Sequence, residues 1–120
     1  MSRRILVVED QEDNRRILRD LLASVGFETI EAENGVEALT AVAQRPDLIL
    51  MDIQLPIMDG YEATRRIKAN PEFRHIPIIV VTSYALSGDE EKAHASGCDA
   101  YFTKPYSPRQ LLAKIKEFLP

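Results

Sequence analysis

The sequence predicts an α/β fold in which five parallel strands form one sheet that is doubly wound, with helices on both faces. Short apolar runs alternate five times with longer amphipathic stretches along the 120 residues, a pattern typical of repeated strand-helix units. Residues 48–51 are apolar without alternation, as expected for a parallel strand that is covered on both faces. Crossovers between parallel strands are right-handed, which places the helices on both sides of such a sheet.

The first three strands and the two helices between them follow from apolar spacing. Residues 5–8 predict a strand, and the helix after it ends at Gly26. The predicted apolar face of that helix consists of Ile17, Leu18, Leu21, Leu22 and Val25. Residues 27–32 alternate as in an edge strand, and Asn34-Gly35 then begins a second helix that ends at Arg45-Pro46. Its apolar residues are Val36, Leu39 and Val42.

The second half of the chain continues the alternation. After the third strand at 48–51 and a loop at 56–60, residues 61–69 predict a helix that ends before Pro71. Residues 77–82 predict a strand that begins with proline, where proline is tolerated. A polar helix at 88–96, a short strand at 100–102 and a last helix beginning at Ser107-Pro108 complete the pattern. The last helix carries Leu111, Leu112, Ile115, Phe118 and Leu119.

Composition limits the class of protein. An apolar content of 45% is enough for one domain over residues 1–120. The net charge of −4, with no basic stripe, argues against a nucleic-acid partner. The apolar run at 5–8 is too short for a signal peptide or a membrane span. Cys98, the single cysteine, has no partner within the chain, which favours a reducing, cytoplasmic location.

Polar and charged residues gather where the predicted strands end. Glu9-Asp10 follow the first strand, Asp52 the third, Thr82 ends the fourth, and Lys104 follows the fifth. In a parallel sheet these ends share one edge, which is where ligands bind. Carboxylates 4 Å apart repel by roughly 4 kcal/mol at an effective dielectric near 20, and Lys104 offsets only one charge. A hard cation such as Mg²⁺ suits this set, which has the components that phosphoryl transfer requires.

Four segments resemble the receiver domains of two-component response regulators, the CheY-like superfamily. They are I-L-V-V-E-D at 5–10, D-L-I-L-M-D-I-Q-L-P-I-M-D-G at 47–60, I-P-I-I-V-V-T-S at 76–83 and Y-F-T-K-P at 101–105. The resemblance spans the whole chain and implies the flavodoxin-like strand order 2-1-3-4-5. Within the family, G-D-E-E-K-A at 88–93 and S-G-C-D-A-Y at 96–101 are most similar to stand-alone regulators of the DivK type, without an output domain.

The resemblance implies a phosphoacceptor and a metal site. By position, Asp52 matches the phosphoacceptor, and Asp10 with Asp52 matches the pair of Mg²⁺ ligands. Glu9 completes the acidic pocket, although aspartate is the commoner residue there, and the backbone carbonyl of Gln54 supplies a further ligand. Mn²⁺ is the alternative ion. The chain is then a phosphoacceptor that takes part in its own phosphorylation and dephosphorylation, not an enzyme.

The resemblance also implies a switch. Thr82 and Lys104 match the residues that grip the phosphoryl group, with Ser83 beside them where alanine is common, and Tyr101 matches the aromatic switch residue. Movement of the Thr82 hydroxyl toward the phosphoryl group leaves room for the Tyr101 ring, and the face of the last helix changes. Gln54 and Tyr84 are expected to tune the phosphate lifetime, and residues 83–88 to form a mobile switch segment.

The implied partners are proteins. A sensor histidine kinase or a histidine phosphotransfer protein is expected to dock over the first helix and the loop after the fifth strand. The residues expected there are Asn14, Arg15, Leu18, Pro105 and Tyr106. A downstream effector is expected to bind the face formed by the fourth helix, the fifth strand and the last helix. The chain is expected to be a monomer or a weak dimer, with no membrane partner.

Several alternatives compete with this interpretation. A haloacid-dehalogenase-like phosphatase needs an acid two positions after its nucleophile, where this chain has Gln54. A flavodoxin-like mononucleotide binder would have to hold phosphate in the acidic segment at 9–13, and a calcium loop from Asp10 would need glycine at Arg15. A receiver excised from a hybrid histidine kinase and a receiver that acts without phosphorylation also remain. His75, His94 and Cys98 are expected to have no functional role.

Overall fold

The computed structural model describes residues 3–83 and 88–120, which contain five strands, five α-helices and one 3-10 turn. The strands are β1 (Arg4–Val8), β2 (Glu28–Ala32), β3 (Leu48–Met51), β4 (Ile78–Thr82) and β5 (Ala100–Thr103). The helices are α1 (Glu12–Ala23), α2 (Gly35–Ala41), α3 (Gly60–Ala69), α4 (Asp89–Ala95) and α5 (Pro108–Phe118), and the 3-10 turn is Val42–Gln44. The predicted α/β class is confirmed.

All strand pairs are parallel, and the strand order is β2-β1-β3-β4-β5, as predicted. The register pairs Val8 with Met51 and Met51 with Val80. Every residue of β3 and β4 is buried, because helices cover both faces of the sheet. Since Val8 and Met51 are level, the residues that follow them leave the sheet side by side.

Each face of the sheet has its own hydrophobic core, because alternate strand residues point to opposite sides. One core joins strand residues such as Ile49 and Val80 to α2, α3 and α4. The other joins residues such as Leu50 and Val81 to α1 and α5. The helices are therefore divided two and three between the faces. Within the described ranges, no helix has the length and apolar content that crossing a membrane requires.

Three helices begin within one residue of their predicted starts, because a side chain accepts a hydrogen bond from the first turn. Asn34 caps α2, with the Glu37 amide 2.8 Å from its Oδ1. Asp59 caps α3 and Ser107 caps α5 in the same way, at 2.9 and 3.2 Å. These caps set the points at which the chain turns back over the sheet.

The predicted apolar faces of the first two helices are wrong in part. Ile17 is 58% exposed, and Val25 and Val36 are also exposed. The buried face of α1 consists of Arg15, Leu18 and Leu22, spaced i, i+3 and i+7. Ile17 precedes Leu18 by one residue, about 100° around the helix, so both cannot face the core. The sequence pattern did not account for an arginine in the buried stripe.

Candidate functional site

Three carboxylates meet at the carboxyl edge of the sheet. Glu9 and Asp10 follow β1, Asp52 follows β3, and one oxygen from each lies within 4.8 Å of the others. Lys104, in the turn after β5, reaches across the same edge. Its Nζ lies 3.3 Å from Glu9 Oε1 and 3.6 Å from Asp52 Oδ2. The strand register thus brings together four of the residues that sequence reasoning selected.

Asp52 lies at the bottom of the site and is only 8% exposed. Its Oδ1 accepts a hydrogen bond from the Ile53 amide at 2.7 Å. The chain then returns at Gly60, whose amide donates to the Ile53 carbonyl at 2.9 Å. A Cβ at Gly60 would lie 2.0 Å from the Asp52 carbonyl oxygen, so only glycine permits this return. The loop between β3 and α3 therefore packs against the backbone of Asp52 and is hydrogen-bonded to the residue that follows it.

Glu9 is 2% exposed, and its two carboxylate oxygens have different hydrogen-bond surroundings. Oε1 accepts from Asn14 Nδ2 at 2.6 Å and from Lys104 Nζ. Oε2 is buried and has no hydrogen-bond donor among the residues that the structure describes. A buried carboxylate oxygen without a donor is costly, so a proton or a cation is expected to satisfy it.

The two buried carboxyl groups have opposite pKa shifts. Burial raises the pKa of Asp52 to about 7, the neighbouring Glu9 raises it too, and Lys104 and the Ile53 amide oppose the rise. Burial also disfavours ionised Glu9, but hydrogen bonds with Asp52 and Asn14 and the charge of Lys104 hold its pKa below the usual value. Without a cation, Asp52 is therefore partly protonated near neutral pH.

The donor set fits a hard divalent cation. A cavity of about 250 Å³ lies over the carboxylates and is lined by Glu9, Asp10, Gln11, Asn14, Asp52, Gln54, Ser83 and Lys104. The oxygen donors suit Mg²⁺ or Mn²⁺, and a cation would neutralise the charge that Lys104 leaves and satisfy Glu9 Oε2. Gln54, the predicted source of a carbonyl ligand, lines this cavity.

The other expected switch residues lie around the same edge. Thr82 is 1% exposed at the end of β4, and its carbonyl accepts from the Lys104 amide at 2.7 Å. Ser83 is exposed at the cavity wall. Tyr101 is half-buried on the α3 and α4 face, and burial, with Asp89 and Glu90 of α4 nearby, raises its pKa. Tyr84, with most of the segment 83–88, lies outside the described residues.

The expected docking surface needs correction. Arg15 is buried and ion-paired with acidic residues such as Glu12 and Glu31, so its guanidinium is not offered to a partner. Leu18 is 4% exposed and Asn14 is bonded to Glu9, whereas Pro105 is exposed and Tyr106 half-buried. A groove of about 320 Å³ is lined by Asn14, Ile17, Leu18, Lys104, Pro105, Tyr106 and Pro108. Sequence reasoning missed Ile17 here because it assigned this residue to the core.

The histidines and the cysteine lie apart from the carboxylates. Cys98 is buried, with its Sγ 3.8 Å from His94 Nδ1, and burial raises the pKa of its thiol to about 11. His75 is exposed at the opposite edge of the sheet, beside Pro77. Among the described residues, the group placed to share a metal ion is Glu9, Asp10 and Asp52.

Comparison with protein families supports the resemblance found in the sequence. Residues 5–116 match the model of the response regulator receiver domain. The polar-differentiation response regulator DivK of Brucella anthropi is 48% identical over 120 residues, which cover 99% of this chain and 98% of the relative. DivK of Brucella ovis is 46% identical with the same coverage.

Solved structures agree in fold. The receiver domain of a sensor histidine kinase from Pseudomonas aeruginosa superposes with a TM-score of 0.92 at 36% identity, covering 99% of this chain and 98% of that one. That crystal structure has a magnesium ion coordinated in its active site cleft. The chemotaxis protein CheY4 of Vibrio cholerae superposes with a TM-score of 0.90 at 25% identity, covering 98% and 99% of the two chains.

Proposed function

Because this chain belongs to the response regulator receiver family, we propose that it is the phosphorylatable switch of a two-component or phosphorelay system, with Asp52 as phosphoacceptor. One observation carries the assignment of the residue. Asp52 is the carboxylate that lies within reach of both Lys104 and the acidic pair at the end of β1. A nucleophile, a cation site and an ammonium group thus share one cavity.

The proposed reaction is a displacement at phosphorus. One carboxylate oxygen of Asp52 bonds to the phosphorus of a phosphohistidine while the P–N bond breaks. The departing imidazole nitrogen keeps the electron pair, and the product is an acyl phosphate. Attack requires ionised Asp52, so the proton that burial favours there must first leave. A Mg²⁺ ion held by Asp10, Asp52 and the carbonyl of Gln54 would supply charge neutralisation for the carboxylates and the incoming oxygens.

The switch acts through charge. Phosphorylation adds one to two negative charges beside Lys104, which is expected to turn from Glu9 and Asp52 toward the phosphoryl group. Thr82 is expected to donate its hydroxyl to the same group, and Tyr101 to move inward behind it. A shift from 1:99 to 99:1 between two states needs about 5.5 kcal/mol, and a few charge-assisted hydrogen bonds of roughly 1.5–3 kcal/mol each supply this.

The docking surface for the phosphodonor is the groove between α1 and the turn after β5. It adjoins the carboxylates through Asn14 and Lys104, which line both cavities. Exposed Ile17 and Pro105 provide apolar contacts for a histidine kinase or a histidine phosphotransfer protein. We place an effector on the face of α4, β5 and α5, where Tyr101 lies.

The remaining parts of the proposal rest on likeness to DivK. We propose a stand-alone receiver over residues 1–120, because the chain matches 98% of the length of DivK proteins. A cytoplasmic location suits the lone Cys98 and a kinase partner. Gln54 and Tyr84 are proposed to set the phosphate lifetime. Gln54 cannot exchange a proton, so a turnover phosphatase finds no support.

The test is incorporation of phosphate from acetyl phosphate, followed by mass spectrometry. We expect one phosphoryl group per chain with Mg²⁺ and little or none with EDTA. Asp52→Asn is expected to incorporate none, and Asp10→Asn to need far more Mg²⁺. Asp13→Asn is the matched control, because the Asp13 carboxylate is 82% exposed and, among the described residues, its ion pair is with the exposed Arg16.

The outcomes separate clearly. Equal incorporation by Asp52→Asn and Asp13→Asn would remove Asp52 as the acceptor. Incorporation that does not depend on Mg²⁺ or Mn²⁺ would remove the metal site from the reaction. Steady release of phosphate from a phosphomonoester would instead favour the phosphatase alternative.

A further inference from the structure

Arg15 is a buried, charged residue next to the carboxylate site, and the proposed mechanism does not use it. Its side chain is 9% exposed, yet it carries a full positive charge. Nη2 donates to Glu12 at 2.6 Å and Nε to Glu31 at 3.2 Å. Nη1 donates to the backbone carbonyl of Glu9 at 2.8 Å, in a buried contact. Burying a guanidinium costs several kcal/mol before its partners compensate, so its position calls for a reason.

The Glu9 carbonyl belongs to the peptide bond that joins Glu9 to Asp10. On the other side of Glu9, the amide donates to the Ala32 carbonyl at 3.0 Å, in continuation of the β1-β2 pairing. The neighbouring residue of α1, Asn14, holds the Glu9 side chain at 2.6 Å. Two consecutive residues of α1 therefore hold the main chain and the side chain of Glu9.

A purely structural link between α1 and β2 does not require Arg15. Arg19, one turn later, already joins α1 to Glu31 at 2.8 Å and also approaches Glu12 at 3.7 Å. Its side chain is 36% exposed, which avoids most of the cost of burial. Arg15 differs from Arg19 in its hydrogen bond to the Glu9 carbonyl, next to a metal-site carboxylate, and in a longer ion pair with Glu33 at 3.6 Å.

We propose that Arg15 is a positioning residue for Asp10. By holding the Glu9-Asp10 peptide, it fixes the point from which the Asp10 carboxylate extends toward the cation. This inference rests on the proposed function, because it assumes a cation between Asp10 and Asp52. Residues that orient metal ligands without touching the ion commonly change metal affinity by 10- to 100-fold when substituted.

The test is direct titration of the protein with Mg²⁺ by calorimetry, with folding followed by circular dichroism. We expect Arg15→Met to weaken Mg²⁺ binding roughly 10-fold or more, and Arg19→Met, the matched control, by less than about twofold. Arg15→Lys keeps the charge but lacks the planar guanidinium group, and its Mg²⁺ affinity is expected to lie between those of wild type and Arg15→Met. If Arg15→Met does not fold, the Mg²⁺ titration of Arg15→Lys tests the inference, which weaker binding than in wild type supports and wild-type affinity overturns.

A second readout separates positioning from general destabilisation. At saturating Mg²⁺, incorporation from acetyl phosphate is expected to return close to the wild-type rate in Arg15→Met, because Arg15 is not placed on the phosphoryl group. Destabilisation alone would weaken the apparent Mg²⁺ affinity only by the factor by which the folded fraction without Mg²⁺ falls, which circular dichroism measures. A loss of affinity no greater than that factor would overturn the inference. Wild-type affinity in Arg15→Met would overturn it too and leave the proposed function standing, whereas absence of Mg²⁺ binding by wild type would overturn both.

Discussion

Asp52 and Glu9 are buried carboxylates that share one ammonium group, Lys104. Two negative charges and one positive charge cannot balance in a site from which water is largely excluded, so one carboxyl group keeps its proton. The pKa shifts favour Asp52 as the protonated group. Burial and the neighbouring Glu9 raise the pKa of Asp52, whereas for Glu9 the effect of burial is outweighed by hydrogen bonds with Asp52 and Asn14 and by the charge of Lys104. The ionised form of Asp52, the proposed phosphoacceptor, is thus unfavourable until a cation binds.

The stability of the cation-free protein is predicted to depend on Asp52 and pH. The pKa of Asp52 rises on folding from 3.8 to about 7, so folding favours the protonated carboxyl group. The resulting contribution to the free energy of unfolding is fully present below pH 3.8 and is lost as the pH rises to about 7. In EDTA, Asp52→Asn should therefore become progressively more stable than wild type between these values. Relative to wild type, the free energy of unfolding of Asp52→Asn should grow by on the order of 4 kcal/mol over this range and then stay constant. Urea unfolding at a series of pH values measures it.

Asp13→Asn controls for the loss of any acidic side chain, because Asp13 is exposed on α1. It should show little change in stability relative to wild type at each pH. If the difference in free energy of unfolding between Asp52→Asn and wild type shrinks between pH 4 and 7, the assigned protonation of the buried pair is contradicted.

At the scale of the element, the loop from β3 to α3 determines where Asp52 points. The loop is tied at two places. Gly60 contacts the backbone of Asp52 and Ile53, and the Met58 carbonyl accepts from the Gly35 amide at 3.0 Å. Both glycines lie where a Cβ would overlap backbone atoms, at 2.0 Å for Gly60 and 2.5 Å for Gly35. The D-G pair at 59–60 thus serves both as a helix start and as a close contact.

Gly60→Ala is predicted to damage the site as well as the fold. The added methyl group must displace the Asp52 carbonyl, which is expected to lower stability by roughly 1–3 kcal/mol and to reduce phosphate incorporation at saturating Mg²⁺. Thermal unfolding and the acetyl phosphate assay measure the two effects.

Gly26→Ala is the control for that experiment. Gly26 has a φ of +90° but nothing within 4 Å of an added Cβ, so alanine there strains the backbone far from the carboxylates. It should lower stability and leave incorporation unchanged at a temperature where the protein is folded. If Gly60→Ala behaves in the same way, the loop contact does not position Asp52.

At the scale of the whole molecule, the site joins three strands that are distant in the chain. Lys104 and Glu9 are separated by 95 residues and meet only because the sheet is complete. A cation that binds this site therefore binds the folded state and not the unfolded chain, and it must stabilise the entire fold.

Mg²⁺ is predicted to raise the unfolding temperature. At a concentration of 100 times the dissociation constant, the gain is about 2.7 kcal/mol, which corresponds to several degrees for a domain of this size. Asp10→Asn should lose most of this gain, and Asp13→Asn should keep it. A scan with NaCl at equal ionic strength separates binding from screening, and equal shifts in the two salts would argue against a specific site.

The sequence by itself determined the fold class and the edge at which the acidic residues gather, and its resemblance to receiver domains implied the strand order. Apolar periodicity identifies strands and helices, and parallel strands bring their carboxyl ends to one edge whatever the side chains are. The motifs around Asp52 and Lys104 were sufficient for the family, which the comparisons confirm.

Only the tertiary structure decided which way α1 faces and how the carboxylates differ. Arg15 is inside and Ile17 outside because Glu31 and the Glu9 carbonyl, supplied by other elements, compensate a buried charge. The orphaned oxygen of Glu9 and the raised pKa of Asp52 likewise depend on burial and on which donors reach each oxygen. Periodicity reports the average polarity of a face, whereas a buried ion depends on partners that are close only after the chain has folded.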